Sequence, residues 1–172
     1  MNANLENPRK NDGENTSEEA ISRQFLTFTI GAEEYGVDIM TVREIKGWTE
    51  TTRLPNTPEF MRGVMNLRGL IIPIFDLRTR FHLGQTDATP KHVVIILALG
   101  ERNIGILVDA VSDILDASAD AIKPAPTQDN EKSEKEMQCV SGLISHQDRM
   151  VVLLDVEKLF DVRQLETAHQ AA

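Results

Sequence analysis

The chain has one cysteine, one tryptophan and one tyrosine among its 172 residues, and each scarcity removes a class of protein. A lone Cys139 cannot close an internal disulfide, so a disulfide-stapled secreted scaffold is excluded and a cytoplasmic, reducing location is expected. Cations are also in deficit, with 18 Lys and Arg against 27 Asp and Glu and a net charge of −9. Nucleic-acid binding depends on neutralising phosphates with Lys and Arg, so this balance argues against a nucleic-acid partner. No stretch approaches the roughly 18 apolar residues that a membrane span needs, so direct membrane insertion is not expected. Met1–Ser22 lacks the apolar centre of a secretory signal. Aromatics make up only 5% of a chain that is 41% hydrophobic. The core must therefore be built from Val, Ile and Leu, which suit pleated surfaces.

What is present divides into polar tracts and short apolar runs. Residues 1–22 and 163–172 read as tails, too poor in bulky apolar groups to offset the entropy of ordering them. The stretch Pro124–Glu136 reads as a long solvated loop inside a folded region of residues 23–162. Within that region the runs are too short and too β-branched for helices. Gln24–Ile30 alternates, with Leu26, Phe28 and Ile30 on one face and Phe25, Thr27 and Thr29 on the other. A hairpin is expected there through Gly31–Gly36, and another where His92–Leu99 turns through Gly100–Asn103 into Ile104–Val108.

The chain also repeats itself. Under a shift of 69 positions Gly31 falls on Gly100, Gly36 on Gly105, Val42 on Val111, Glu44 on Asp113 and Ile45 on Ile114. Under a shift of 79, Gly63 falls on Gly142, Asp76 on Asp155 and Phe81 on Phe160. The difference of ten positions is absorbed by the polar loop at little cost, because closure entropy grows only logarithmically with length. Glycines, acids and hydrophobics matching in order point to a duplication with halves of about 23–88 and 89–162. Each half carries a second hairpin, Val64–Leu67 with Leu70–Phe75 and Val140–Ile144 with Met150–Leu154. Asp76 and Asp155 then cap short helices, and Thr57-Pro58-Glu59 reads as a further helix start. The expected fold is mainly β, a tandem pair of small five-stranded barrels with a few short helices.

Catalytic patterns are missing. The paired glycines have phosphate-loop spacing, but Val37 and Ile106 stand where Lys is needed, so they are read as turn glycines. Cys139 precedes an apolar strand and reads as a structural thiol. His82, His92, His146 and His169 show no helical pairing, and Ser141 lies outside a nucleophile elbow. No cofactor, metal or enzymatic activity is expected.

The unusual residues are of another kind. Phe28-Thr-Ile-Gly, Glu34-Tyr-Gly-Val-Asp-Ile, Val42-Arg-Glu-Ile, Pro55-Asn-Thr-Pro and Gly105-Ile-Leu-Val-Asp-Ala-Val accompany one long string, Arg62-Gly-Val-Met-Asn-Leu-Arg-Gly-Leu-Ile-Ile-Pro-Ile-Phe-Asp-Leu-Arg. Together, over about residues 24–162, these resemble the CheW family of chemotaxis coupling proteins. The resemblance implies a non-catalytic adaptor joining the cytoplasmic tip of chemoreceptors to the regulatory domain of the histidine kinase CheA at membrane-associated receptor arrays. It also implies two small barrels with strands partly exchanged between them. Carried over position by position, Val42, Glu44, Arg68, Val93 and Ile114 are the receptor-facing candidates, and Gly63 the kinase-facing one. Other readings stay open: core packing for Val42, Val93 and Ile114, a turn-capping role that Glu44 shares with Asp113, and a plain exposed turn for Arg68. Trp48 is read as either exposed or interfacial, and Pro73, lacking an N–H, places its strand at an edge or a bulge. The alternative function is a competitor or regulator that binds the same kinase in a pathway unrelated to motility.

Overall fold

Short runs, alternating at the outer strands and continuously apolar in central ones such as Val93–Leu99, generate ten strands in the computed structural model, which describes residues 22–126 and 137–160. The expected tails and most of the 124–136 loop lie outside the described residues. The strands are β1 (Ser22–Ile30), β2 (Glu33–Asp38), β3 (Val42–Gly47), β4 (Met61–Leu67), β5 (Leu70–Asp76), β6 (Val93–Leu99), β7 (Arg102–Val108), β8 (Ala110–Ser118), β9 (Val140–His146) and β10 (Arg149–Leu154). One-turn helices α1 (Leu77–Arg80) and α2 (Val156–Leu159) follow β5 and β10. Each is opened by its aspartate: the Asp76 carboxylate accepts the Arg78 N–H and that of Asp155 the Glu157 N–H, both at 3.1 Å. No helix starts at Thr57–Glu59; turns lie at Pro55–Asn56 and Glu59–Phe60, with Pro58 O accepting the Met61 N–H at 2.9 Å. No helix among the described residues is long and apolar enough to cross a membrane.

The strands assemble into two five-stranded sheets, sheet I in the order β8-β1-β2-β10-β9 and sheet II in the order β3-β6-β7-β5-β4. Each sheet draws strands from both repeated segments, and the repeat maps one order onto the other strand for strand. The halves meet at four seams: β2 with β10 and β5 with β7 run parallel, β1 with β8 and β3 with β6 antiparallel, and the pairings within each half are antiparallel. The ladders do not close into barrels. A single bridge joins the segment after the last strand at one end of each sheet to the strand at its far end, Thr52 to Val64 in sheet II and Lys123 to Leu143 in sheet I.

Both faces of the central strands are apolar because each sheet curls over a small core of its own while sharing a larger one. Phe25, Leu115, Ile144, Val151 and Leu153 fill sheet I, and Ile72, Ile74, Val94, Ile96 and Leu107 fill sheet II. Leu26, Phe28, Ile30, Ile95, Leu97, Ile104 and Ile106 face the shared core. Burying each of these side chains contributes about 1.5–3 kcal/mol. The few aromatics are concentrated in the shared core, where Phe75 and Phe160 stack at 4.5 Å and Tyr35 and Phe81 at 5.1 Å. Cys139 is buried there too.

The repeated glycines separate into two kinds. Gly31 and Gly100 occupy hairpin turns, both at φ +59°. Gly36 and Gly105 do not serve turns as the sequence suggested; they lie mid-strand at the parallel seams, opposite Leu153 and Ile74. A Cβ on Gly36 would lie 3.0 Å from Leu153 Cδ2, and one on Gly105 would overlap Ile74 Cδ1 and stand 2.9 Å from Val94 Cγ1. The missing side chain admits a core residue from the other half. Pro73 likewise is not on an edge strand, since β5 runs between β4 and β7. Counting outward from the Leu67–Leu70 pair that closes the β4–β5 turn, its absent N–H would face β7, and the β5–β7 ladder starts only at Ile74.

Candidate functional site

Glu44 and Arg68 come from opposite ends of sheet II. Glu44 sits on edge strand β3, and Arg68 is the first residue of the β4–β5 turn, at φ +50° beside Gly69 at +85°. Two successive positive φ values make the turn that suits strand twist, and they throw the Arg68 side chain outward. The sheet curls so that the two meet: Arg68 Nη2 donates to Glu44 Oε2 at 2.5 Å and Nη1 to Oε1 at 3.5 Å. The Arg68 side chain is 71% exposed and that of Glu44 29%. In the isolated chain the two candidates thus satisfy one another. Glu44 does not share a turn-capping role with Asp113, whose carboxylate accepts the adjacent Ile114 N–H.

The apolar candidates divide. Val42 and Val93, paired in sheet II with Leu97 and with Gly47 and Val108, are partly buried against the shared core. Ile114 is 52% exposed and stands on β8, the outer strand of sheet I. Its repeat partner Ile45 is also exposed, on β3. Four of the five receptor-facing candidates therefore belong to sheet II, and Ile114 to sheet I.

Gly63 holds a bulge in β4 at φ +133°. A Cβ there would overlap Thr52 O and stand 2.8 Å from the Thr52 carbonyl carbon. Thr52 and Val64 exchange backbone hydrogen bonds at 2.9 and 2.8 Å, and Thr51 Oγ1 donates to Arg62 O at 2.8 Å. Gly63 thus keeps the segment after β3 pressed against β4. Trp48, at the end of β3, is half-buried on the sheet II core with the Arg62 guanidinium 5.2 Å above its ring.

One cluster escaped the sequence reading. Asp109 accepts Arg78 Nη2 at 2.8 and 2.6 Å through its two oxygens and the Gly31 N–H at 2.7 Å, while His92 Nε2 stands 3.6 Å away. Burial pushes its pKa up, but the hydrogen bonds from Arg78 and Gly31 and the charges of Arg78 and His92 outweigh this and hold it below the ordinary carboxylate value. Arg78 and Asp109 both lie within the motif strings, in Asp76-Leu-Arg and in Gly105-Ile-Leu-Val-Asp. Nothing local in the sequence joins them.

Among the described residues no group of three or more His, Cys, Asp or Glu is placed to hold a metal. A cleft of about 350 Å³ opens where β5 and β7 diverge ahead of Pro73, lined by Leu70–Pro73 and Glu101–Ile104. Leu70 and Ile71 are exposed at its lip, as is Met150, the repeat partner of Ile71, in sheet I. Exposed apolar tips beside charged residues suit contact with another protein better than chemistry on a small molecule.

The CheW-like domain family matches residues 24–164. The chain belongs to the CheW family. The chemotaxis protein CheW of Klebsiella aerogenes is 42% identical over 90% of this chain and 91% of its own length. The probable chemotaxis protein CheW of Rhizobium etli is 41% identical over 85% of this chain and 92% of its own. Among solved structures, the scaffolding protein TtCheW from Thermoanaerobacter tengcongensis superposes with a TM-score of 0.72 at 30% identity, covering 84% of this chain and 91% of that one. The matched span, residues 24–164, takes in both sheets.

Proposed function

We propose that this CheW-like chain is a non-catalytic scaffold of bacterial chemotaxis that couples chemoreceptors to the histidine kinase CheA, working in the cytoplasm at receptor arrays. The observation that carries the reading is 42% identity to a chemotaxis protein CheW across nine-tenths of the chain. The surface agrees with it. A cation and an anion are held in a fork on an exposed turn, a geometry suited to exchanging one partner for polar groups on a helical receptor tip. Val42, Val93 and Ile114 supply apolar contacts beside them, and Gly63 keeps β4 in the shape that a kinase domain would meet.

Coupling of this kind is a free-energy linkage between two binding events, with no bond made or broken. Its test is kinase autophosphorylation in receptor-containing membranes with and without the chain. Strong activation that attractant reverses is the expected outcome. Kinase binding without activation establishes the competitor instead, and absence of binding to kinase and receptor overturns both.

A further inference from the structure

The two sheets share a core, and because hydrophobic attraction is non-directional, polar contacts between them add the sharper constraint on how one is turned against the other. Directional contacts between them include Arg80 Nε donating to Leu159 O at 3.0 Å, from α1 to α2, but concentrate at Asp109, the single residue between β7 of sheet II and β8 of sheet I. Its N–H donates to Thr29 O of β1 at 3.0 Å, and its carboxylate receives the Gly31 N–H from the β1–β2 turn, so it is tied twice to sheet I. The same carboxylate takes Arg78 on both oxygens from α1, directly after β5 of sheet II, and faces His92, directly before β6. One guanidinium nitrogen, Arg78 Nη2, thus reaches both oxygens, a charge-assisted contact that is short and directional.

The duplication does not require this clamp. Under the repeat the position of Asp109 falls on Met40, a residue 78% exposed in the other crossover between the sheets. One crossover is pinned by charge, and the one related to it by the repeat carries no acid at that position. The pinned crossover also adjoins the receptor-facing candidates, since Val93 follows His92 and pairs with Val108, and Ile114 lies on the strand that Asp109 opens.

We propose that Asp109, through Arg78, is a positioning residue for receptor binding: it sets the orientation of sheet I against sheet II, and so of Ile114 relative to Val42, Glu44, Arg68 and Val93. The inference rests on the reading of these residues as a receptor surface spanning both sheets, whereas Gly63 belongs to sheet II alone.

The test uses the full chain and measures binding separately to a soluble receptor cytoplasmic fragment and to the kinase regulatory domain, alongside thermal melts. Variants are Asp109→Asn, Arg78→Gln, the two combined, and Asp155→Ala as a control that destabilises α2, which holds none of the clamp residues. Asp109→Asn and Arg78→Gln are expected to weaken receptor binding about five- to tenfold, the size of ordinary couplings within proteins. Kinase-domain affinity should stay within about twofold, and the double variant should be no worse than either single one, because each removes the same contact. Asp155→Ala should lower the melting temperature and leave both affinities alone. Arg78→Lys, which keeps the charge without the planar guanidinium, carries the measurement if Asp109→Asn does not fold. The inference is overturned if receptor affinity is unchanged, or if both affinities fall together in step with stability. Should the native chain bind neither partner, the proposed function fails first and the inference falls with it.

Discussion

Arg68 and Gly105 show how differently single side chains bear on this molecule. Arg68 is an exposed cation whose partner is exposed in part, and such pairs contribute about 0–1 kcal/mol to stability. Arg68→Glu should therefore leave the melting temperature nearly unchanged while weakening binding to a receptor fragment; an unfolded variant would make its role structural. Gly105 is the opposite case, silent on the surface and indispensable inside. Gly105→Ala should cost about 1–3 kcal/mol by overpacking against Ile74 and Val94, read from urea denaturation. Gly36→Ala should cost less, since its nearest neighbour is the end of a flexible leucine. Asp109 adds a pH signature. Its folded pKa lies below the unfolded value of 3.8, so its contribution is complete above that value and is lost as pH falls through the folded pKa. The acid limb of a stability–pH curve should accordingly be shallower for Asp109→Asn than for the native chain below about pH 4.

At the scale of elements, the two helix-opening aspartates look identical in sequence and differ in the structure. Asp155 caps α2 from a partly exposed position, and Asp155→Ala should cost about 0.5–2 kcal/mol. Asp76 is fully buried and also accepts the Thr86 N–H at 2.8 Å and the Thr86 hydroxyl at 2.7 Å. Asp76→Ala leaves those groups without their acceptor and should cost about 2–4 kcal/mol, a difference that paired calorimetric melts would show. The caps and the antiparallel hairpins were legible because each is written in neighbouring residues, a period of two, a turn dipeptide, an acid before a short helix, and the repeat because its matches recur in order at fixed shifts. The parallel seams were not. No turn announces a pairing between residues as far apart as Gly36 and Leu153, so the mid-strand glycines passed for turn residues and Pro73 for the mark of an edge or a bulge.

For the molecule as a whole, the candidate surface was legible only in part. The residues themselves stood out within the motif strings, but their grouping depended on how the sheets curl. Nothing in the order of the chain says that Glu44 and Arg68 would meet, that Ile114 would stand on the other sheet, or that Gly31, Arg78, His92 and Asp109 would converge. Because every seam joins one repeated segment to the other, neither half holds a complete sheet. Chains cut between Leu83 and Lys91 should each be largely unfolded alone. Mixed, they should regain the native β spectrum by circular dichroism, with a midpoint that rises with concentration. Two independently folded halves would contradict this arrangement. The seams also carry a history. A single half, paired with a second copy of itself through the same strands, would already be a closed two-fold dimer with swapped arms, so the present chain has the form of such a dimer made continuous by one linker.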